Sequence, residues 1–395
     1  MSKRANGEGT VRQRPNGLWE ARLAYLDPKT GQRKRTSFYA DTAKAAREKL
    51  KNARERLDKG APPTDAKASV KEWMAHWRAT TLQASDRKAN TIELYERLSI
   101  HHIETGKFGT LTLDKLKPSH IEALIVHLKN AGKAQTGDDG KKNLVGLAES
   151  TVRTTYTVLR SALDTAVRDG LLAENPATKV KRPKVERKEA VHFEAADLAK
   201  ILKAADSSRY HTTLLLIAAS GIRRGEAAGL RWSDVELKEQ DGKFTVRKTA
   251  ARIGGELVLT DPKTKTSRRT IPLSQGMVTA LKAHRKRQLE ERLRAGDQWK
   301  DNGMVFTTEF GTIVDPRNLL RVVKAAAKKA GIEKANVHAV RHSAAMAWLE
   351  SGVHIKAVAD LLGHSSIAIT GDIYGHTSDQ AARSAVDGLS AVLGI

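Results

Sequence analysis

Two polar, breaker-rich stretches constrain how this chain can fold. Residues 59–64, Lys-Gly-Ala-Pro-Pro-Thr, place two prolines and a glycine in six positions. Residues 179–188 hold six cations, Lys179, Lys181, Arg182, Lys184, Arg187 and Lys188, against one acid, Glu186. Both read as linkers by composition, so a single core cannot hold the whole chain. The predicted domains are residues 1–63, 64–183 and 184–395. That division suits a 395-residue chain at roughly 150 residues per domain, with 40% apolar residues to supply a core in each. The second linker is either charged enough to lie along a phosphate backbone or a solvated tether.

Charge narrows the partner. The chain carries 69 Lys and Arg against 45 Asp and Glu, a net +24, far beyond what solubility asks for, so a polyanion is expected. There is no cysteine, which removes disulfides, Cys-ligated zinc, iron–sulfur clusters and thiol catalysis. Apolar runs such as 214–219 and 344–349 reach six residues, against roughly 18 to 20 for a bilayer span. The basic N-terminus has no apolar stretch behind it and is not a signal peptide. No membrane partner is expected, and the chain is placed in the cytoplasm, acting on a nucleic acid.

Each predicted domain has its own pattern. Residues 10–14, 18–26 and 33–40 are strand-like, separated by Pro15-Asn16-Gly17 and Asp27-Pro28-Lys29-Thr30-Gly31, and a helix follows from Asp41 or Thr42 to about Asp58. Residues 1–60 contain 16 basic and 7 acidic side chains. Arg33, Lys34 and Arg35 beside Phe38 and Tyr39 are candidate DNA contacts, since strands can enter a groove; the alternative is a solvated basic face. In the middle domain, residues 70–78, 89–101, 118–130 and 149–168 carry apolar residues at helical spacing, which predicts an all-α bundle. The polar, Gly-rich stretch 134–144 reads as an exposed loop between its last two helices. In the last domain 195–205, 211–220, 225–231 and 275–294 read as helices, and 244–248, 256–260 and 269–273 as strands. The fold class is therefore multidomain α+β: a small sheet plus helix, a helical bundle, and a mainly helical domain with a small antiparallel sheet.

The last domain contains a series of phosphate-handling groups. Ser220-Gly221-Ile222-Arg223-Arg224-Gly225-Glu226 puts two guanidinium groups at a helix start, where backbone N–H groups also favour anions. His338, Arg341 and His342 are spaced i, i+3, i+4, one face of a helix. Leu362-Gly363-His364 stands at a helix end, and Tyr374 follows ten residues later. Asp261 to Arg269 forms a basic hairpin turn between strands. Alone, each is weak: Arg223 and Glu226 make an ordinary ion pair, and a single His or Tyr is ordinary core. The His338 and His342 pair lacks the Glu that a metalloprotease helix places after its first His, since Ala339 stands there, so no metal is expected. Together the groups fit one reaction. Arg and His donors neutralise a phosphodiester without a metal, a Tyr hydroxyl displaces its 5′ oxygen, and a mobile Lys protonates the leaving alkoxide.

The ordered set Gly-Ile-Arg-Arg-Gly-Glu, Pro-Lys-Thr-Lys-Thr-Ser-Arg-Arg, His-Ala-Val-Arg-His, Leu-Gly-His and Tyr resembles the tyrosine recombinases, specifically phage-type integrases, over residues 190–380. The earlier domains resemble the arm-binding and core-binding domains of the same family. The resemblance implies that Arg223 and Arg341 hold the scissile phosphate and that Tyr374 is the nucleophile. His338 and His364 would bind or protonate around the phosphate, His342 would support the site, and Glu226 would brace it. Lys263 matches the family's acid, with Lys265 the alternative on the same turn. Arg224 would be a surface or DNA-backbone residue. The tail after Tyr374 would pack either on a neighbouring protomer or on its own domain.

The expected function is a site-specific DNA integrase working through a 3′-phosphotyrosyl intermediate and a Holliday junction, with no cofactor. Its expected partners are double-stranded DNA attachment sites of core and arm type, further copies in a tetramer on DNA, and a host or directionality factor. The alternatives are a resolvase-type recombinase or topoisomerase with the same Tyr chemistry, and a non-cleaving DNA-binding protein of the same fold. The intact Arg, Lys, His and Tyr set argues against the last, because binding alone needs no nucleophile.

Overall fold

The computed structural model describes residues 9–26, 33–58, 67–136, 142–186, 191–238, 241–262, 267–333 and 335–374. The chain divides into two compact units, residues 1–187 and 188–395. The first unit holds two separate apolar clusters.

The N-terminal cluster follows from strand alternation. Strands β1 (Thr10–Gln13), β2 (Trp19–Leu26) and β3 (Arg33–Ala40) form an antiparallel sheet in that order. On one face Ala21, Leu23 and Ala40, with Val11, Trp19 and Phe38, pack against Ala46, Leu50 and Ala53 of helix α1 (Ala43–Asp58). The register puts Arg12, Glu20 and Tyr39 in one row across the other face.

The second cluster is helical. It is built by α2 (Val70–Trp77), α3 (Ala89–Leu98), α4 (Gly106–Thr110), α5 (Pro118–Ala131) and α6 (Glu149–Arg168). Ser69 and Glu72 cap α2 reciprocally, satisfying two of its unpaired N–H groups. Val70, Trp73, Met74 and Trp77 then meet Ile121, Leu159 and Leu163 in the interior. The helix expected over 89–101 ends at Leu98 and continues as a π-helical turn, Ser99–Ile103; a similar turn, Arg78–Leu82, extends α2. The loop expected at 134–144 is instead a two-stranded ribbon of β4 (Lys133–Thr136) and β5 (Lys142–Val145). Its strands are almost wholly exposed, so no apolar alternation announces them.

The second unit is mixed. Its helices are α7 (Ala195–Ala204), α8 (His211–Ser220), α9 (Arg224–Ala228), α10 (Gln275–Ala295), α11 (Pro316–Lys329), α12 (Val337–Glu350), α13 (Ile355–Leu362) and α14 (Ile367–Tyr374). Strands β6 (Val235–Glu236), β7 (Lys243–Val246) and β10 (Arg269–Pro272) form an antiparallel sheet ordered β10-β7-β6. Strands β8 (Thr249–Ile253) and β9 (Glu256–Thr260) make a separate ribbon. The strands either side of residues 261–268 therefore do not pair with each other, as a hairpin would require: β9 pairs with β8, and β10 pairs with β7. The apolar α8 sits in the core with Phe244, Ile271, Phe306, Leu319 and Val340 around it. Among the described residues, no helix is long and apolar enough to cross a membrane.

Candidate active site

The site is assembled where three helix ends meet. Helix α8 stops at Gly221, whose φ of +60° is the left-handed cap that glycine adopts without strain. A Cβ there would lie 2.8 Å from a Leu362 methyl, so the residue is also small because α13 abuts it. Two residues on, Arg223 precedes α9, and Glu226 in the first turn accepts its backbone N–H at 2.9 Å and its Nη1 at 2.8 Å. Helix α13 likewise ends at a left-handed glycine, Gly363, with φ +64°.

Helix α12 starts at Asn336, whose side chain accepts the Ala339 N–H at 2.8 Å, a favoured N-cap. That start places His338, Arg341 and His342 on one face, the two imidazoles edge to face at 4.7 Å. Arg341 is 2% exposed. It donates to the Gly221 carbonyl at 2.5 Å, to the Leu362 carbonyl at 2.8 Å and to Nε2 of His364 at 3.0 Å. His364 meets the hydroxyl of the buried Thr370 through Nδ1 at 2.8 Å. Nε2 accepts from Arg341, so the proton sits on Nδ1.

Burial, and then the surrounding cations, hold the histidines neutral. Burial, then Arg341, Arg223 and Arg269, lower His364 to about 4. Burial, then His338 and Arg341, lower His342 to about 4. His338 keeps an outer edge in solvent, yet burial of its inner side and then Arg341, Arg223 and Arg224 push it down as well. Burial alone would raise Glu226, but Arg269 first and Arg223 second outweigh it and keep the carboxylate charged.

The structure thus brings Arg223, Glu226, His338, Arg341, His342 and His364 together, and leaves Arg224 exposed. Tyr374 is the last residue of α14, one turn past Thr370, with its side chain outside the described residues. Lys263 and Lys265 also lie outside them. Sequence reasoning missed Arg269 and Thr370. Arg269 follows a run of cations and looks like one more surface charge; its partner, Glu226, is 43 residues away.

Comparison with known proteins shows the family and the fold. The model described as "Phage integrase family" matches residues 191–381, and "Phage integrase SAM-like domain" matches residues 74–182. The chain belongs to the phage integrase family. It is a site-specific tyrosine recombinase, an enzyme that cleaves and rejoins DNA strands. A tyrosine recombinase XerC-like protein of Caldanaerobacter subterraneus is 29% identical to this integrase over 90% of the chain and 91% of its own length. The fold is similar to that of the Tn1549 transposon integrase in complex with transposon right end DNA, with TM-score 0.63, 21% identity, and coverage of 82% of this chain and 99% of the other. It is also similar to that of the lambda integrase tetramer bound to a Holliday junction, with TM-score 0.56, 18% identity, and coverage of 95% and 99%.

The N-terminal sheet of the integrase presents a second charged surface. Glu20, covered by the side chains around it, accepts from Arg12 at 3.1 Å, Arg14 at 3.2 Å and Arg22 at 2.9 Å, with the Tyr39 hydroxyl at 3.4 Å. The hydrogen bond from Arg22, against some burial and with that from Arg12, lowers Glu20 to about 2. Arg33, Lys34 and Arg35 are all exposed at the start of β3. Strand alternation sets Arg35 on the face of Glu20 and Tyr39, and Lys34 on the opposite one. Sequence reading found the Arg33 to Arg35 run and missed the Arg12, Arg14 and Arg22 cluster, which only strand pairing gathers.

Proposed function

We propose that this integrase cleaves one strand of its attachment site by attack of the Tyr374 hydroxyl on the scissile phosphorus. The P–O5′ bond breaks as the P–O(Tyr) bond forms, leaving a 3′-phosphotyrosyl ester and a 5′ hydroxyl. One phosphodiester is exchanged for another, so the 5′ hydroxyl of a partner strand can reverse the step without ATP or a cofactor. Arg223 and Arg341 hold the non-bridging oxygens, with charge-assisted donors where negative charge builds. His338, neutral, donates or accepts at the phosphate, and His364 does so once its Nε2 exchanges Arg341 for the substrate; His342 supports them and Glu226 braces Arg223. Lys263 protonates the 5′ oxygen, with Lys265 the alternative. The observation that carries this reading is the convergence of Arg223 and Arg341 on the carbonyls at the end of α13, with His364 accepting from Arg341 beside them.

The same reading assigns residues 1–63 to arm-type sites through Arg33, Lys34 and Arg35, 64–183 to core-type sites, and 184–395 to catalysis. The integrase would work in the cytoplasm of its host, as a tetramer on DNA passing through a Holliday junction, with a host or directionality factor. The solved lambda integrase tetramer on a Holliday junction supports the assembly.

The test is covalent trapping on nicked attachment-site duplexes in EDTA, with a normal or a 5′-bridging phosphorothiolate linkage. The adduct should disappear in Tyr374→Phe on both. Lys263→Ala should be slow on the normal linkage and close to wild type on the thiolate, whose leaving group needs no acid. If Lys265→Ala shows that pattern instead, the acid is Lys265. Clear DNA binding with no adduct would favour the non-cleaving reading.

A further inference from the structure

Three guanidinium groups share the C-terminus of α13. Arg269 donates Nε–H to the Leu361 carbonyl at 2.5 Å, Arg341 donates to Leu362 at 2.8 Å, and Arg223 donates to Gly363 at 3.4 Å. The last carbonyls of a helix have no partners within it and carry the negative end of its dipole, so three cations there are well placed. Two of them are assigned to the phosphate above. The third is not.

Arg269 faces inward. Its side chain is 7% exposed. Besides Leu361 it donates to the Ser267 carbonyl at 3.1 Å and to both Glu226 oxygens, at 2.9 and 3.4 Å. A guanidinium has five N–H groups, and these hydrogen bonds occupy four, so the group is committed to the protein. Arg223, with 39% of its side chain exposed, is the member of the trio that looks outward.

We infer that Arg269 is a positioning residue for strand cleavage: by sharing the Glu226 carboxylate, it fixes the orientation and frees the charge of Arg223. The inference rests on the reading that Arg223 binds the scissile phosphate. Each Glu226 oxygen accepts one hydrogen bond from Arg223 and one from Arg269. With both arginines present, two positive charges face one negative charge, and a net charge remains for the substrate. Without Arg269, Glu226 and Arg223 form a closed neutral pair, and a bidentate Arg–carboxylate fork draws Arg223 back from the phosphate. Gly363 fits the same account: a Cβ there would sit 2.8 Å from Nη1 of Arg269, so the glycine leaves room for the brace beside the carbonyl that Arg223 touches.

The test uses full-length protein and nicked attachment-site duplexes carrying either the normal phosphodiester or an uncharged methylphosphonate at the scissile position. Arg269→Gln should slow adduct formation at saturating DNA by about 10- to 100-fold on the phosphodiester, with DNA affinity unchanged. On the methylphosphonate, which needs less positive charge, the gap to wild type should close. Arg269→Lys, which restores charge without the fork, should fall between the two, and it carries the test if the Gln variant does not fold. Equal slowing on both linkages, a loss confined to DNA affinity, or wild-type cleavage by Arg269→Gln would overturn the inference. If wild type itself gives no adduct that Tyr374→Phe removes, the phosphate reading fails first and this inference falls with it.

Discussion

His364 and His342 are kept uncharged by what surrounds them, and that choice has consequences for pH. Both are lowered to about 4, against about 6.5 for a free imidazole. Between those values the unfolded chain binds protons that the folded chain does not. Their contribution to stability is therefore complete above about pH 6.5 and is lost as the pH falls toward 4. The carboxylates cannot produce the upper part of that decline, since Glu226 is lowered and Glu20 lies near 2. Calorimetric melting from pH 8 to 4.5 should be flat down to about 6.5 and then fall. The fall should flatten in His342→Gln and His364→Gln. An unchanged slope in both variants would show that other groups cause it. At pH 7 the site's positive charge comes from its arginines, with the imidazoles as neutral hydrogen-bond partners.

The decisive element is α13, because its C-terminus is the shared anchor of Arg223, Arg269 and Arg341. Gly363→Ala should cost about 1 to 2 kcal/mol from the left-handed backbone alone, and its Cβ would also press on Arg269. Chemical denaturation measures the first effect. Adduct formation should fall more than the stability change explains, and a loss of stability with wild-type cleavage would contradict the shared anchor. Much of this element structure was legible: α6, α8, β3 and β9 occupy the ranges their periodicity predicts. Long apolar stripes and clean breakers make such elements local. The ribbon of β4 and β5 was not legible, because its side chains face solvent and carry no pattern. Nor was the separation of β9 from β10, because strand partners are chosen at long range. The site divides the same way. Arg223, His338, Arg341, His342 and His364 stand in short motifs, whereas the inward turn of Arg269 depends on Glu226, a pairing that no spacing announces.

The whole molecule spreads its charge over separate cores, and the N-terminal sheet is held by its own apolar cluster. Residues 1–60 hold 16 basic and 7 acidic side chains. Deleting them should leave adduct formation on a core-type duplex near wild type. It should also make the salt dependence of binding to arm-containing DNA shallower, by about 0.9 in the log–log slope for each phosphate no longer neutralised. An unchanged slope would mean that the basic face of this sheet is merely solvated. Cleavage as proposed rests on one bond, between Tyr374 and the 3′ phosphate of the cleaved strand. Mass-spectrometric mapping of the DNA-linked peptide, after trapping on a nicked attachment site in EDTA, tests it most directly. The expected result is a single modified peptide, carrying a 3′-nucleotide on Tyr374. A nucleotide on any other side chain, or one attached through its 5′ phosphate, would contradict it.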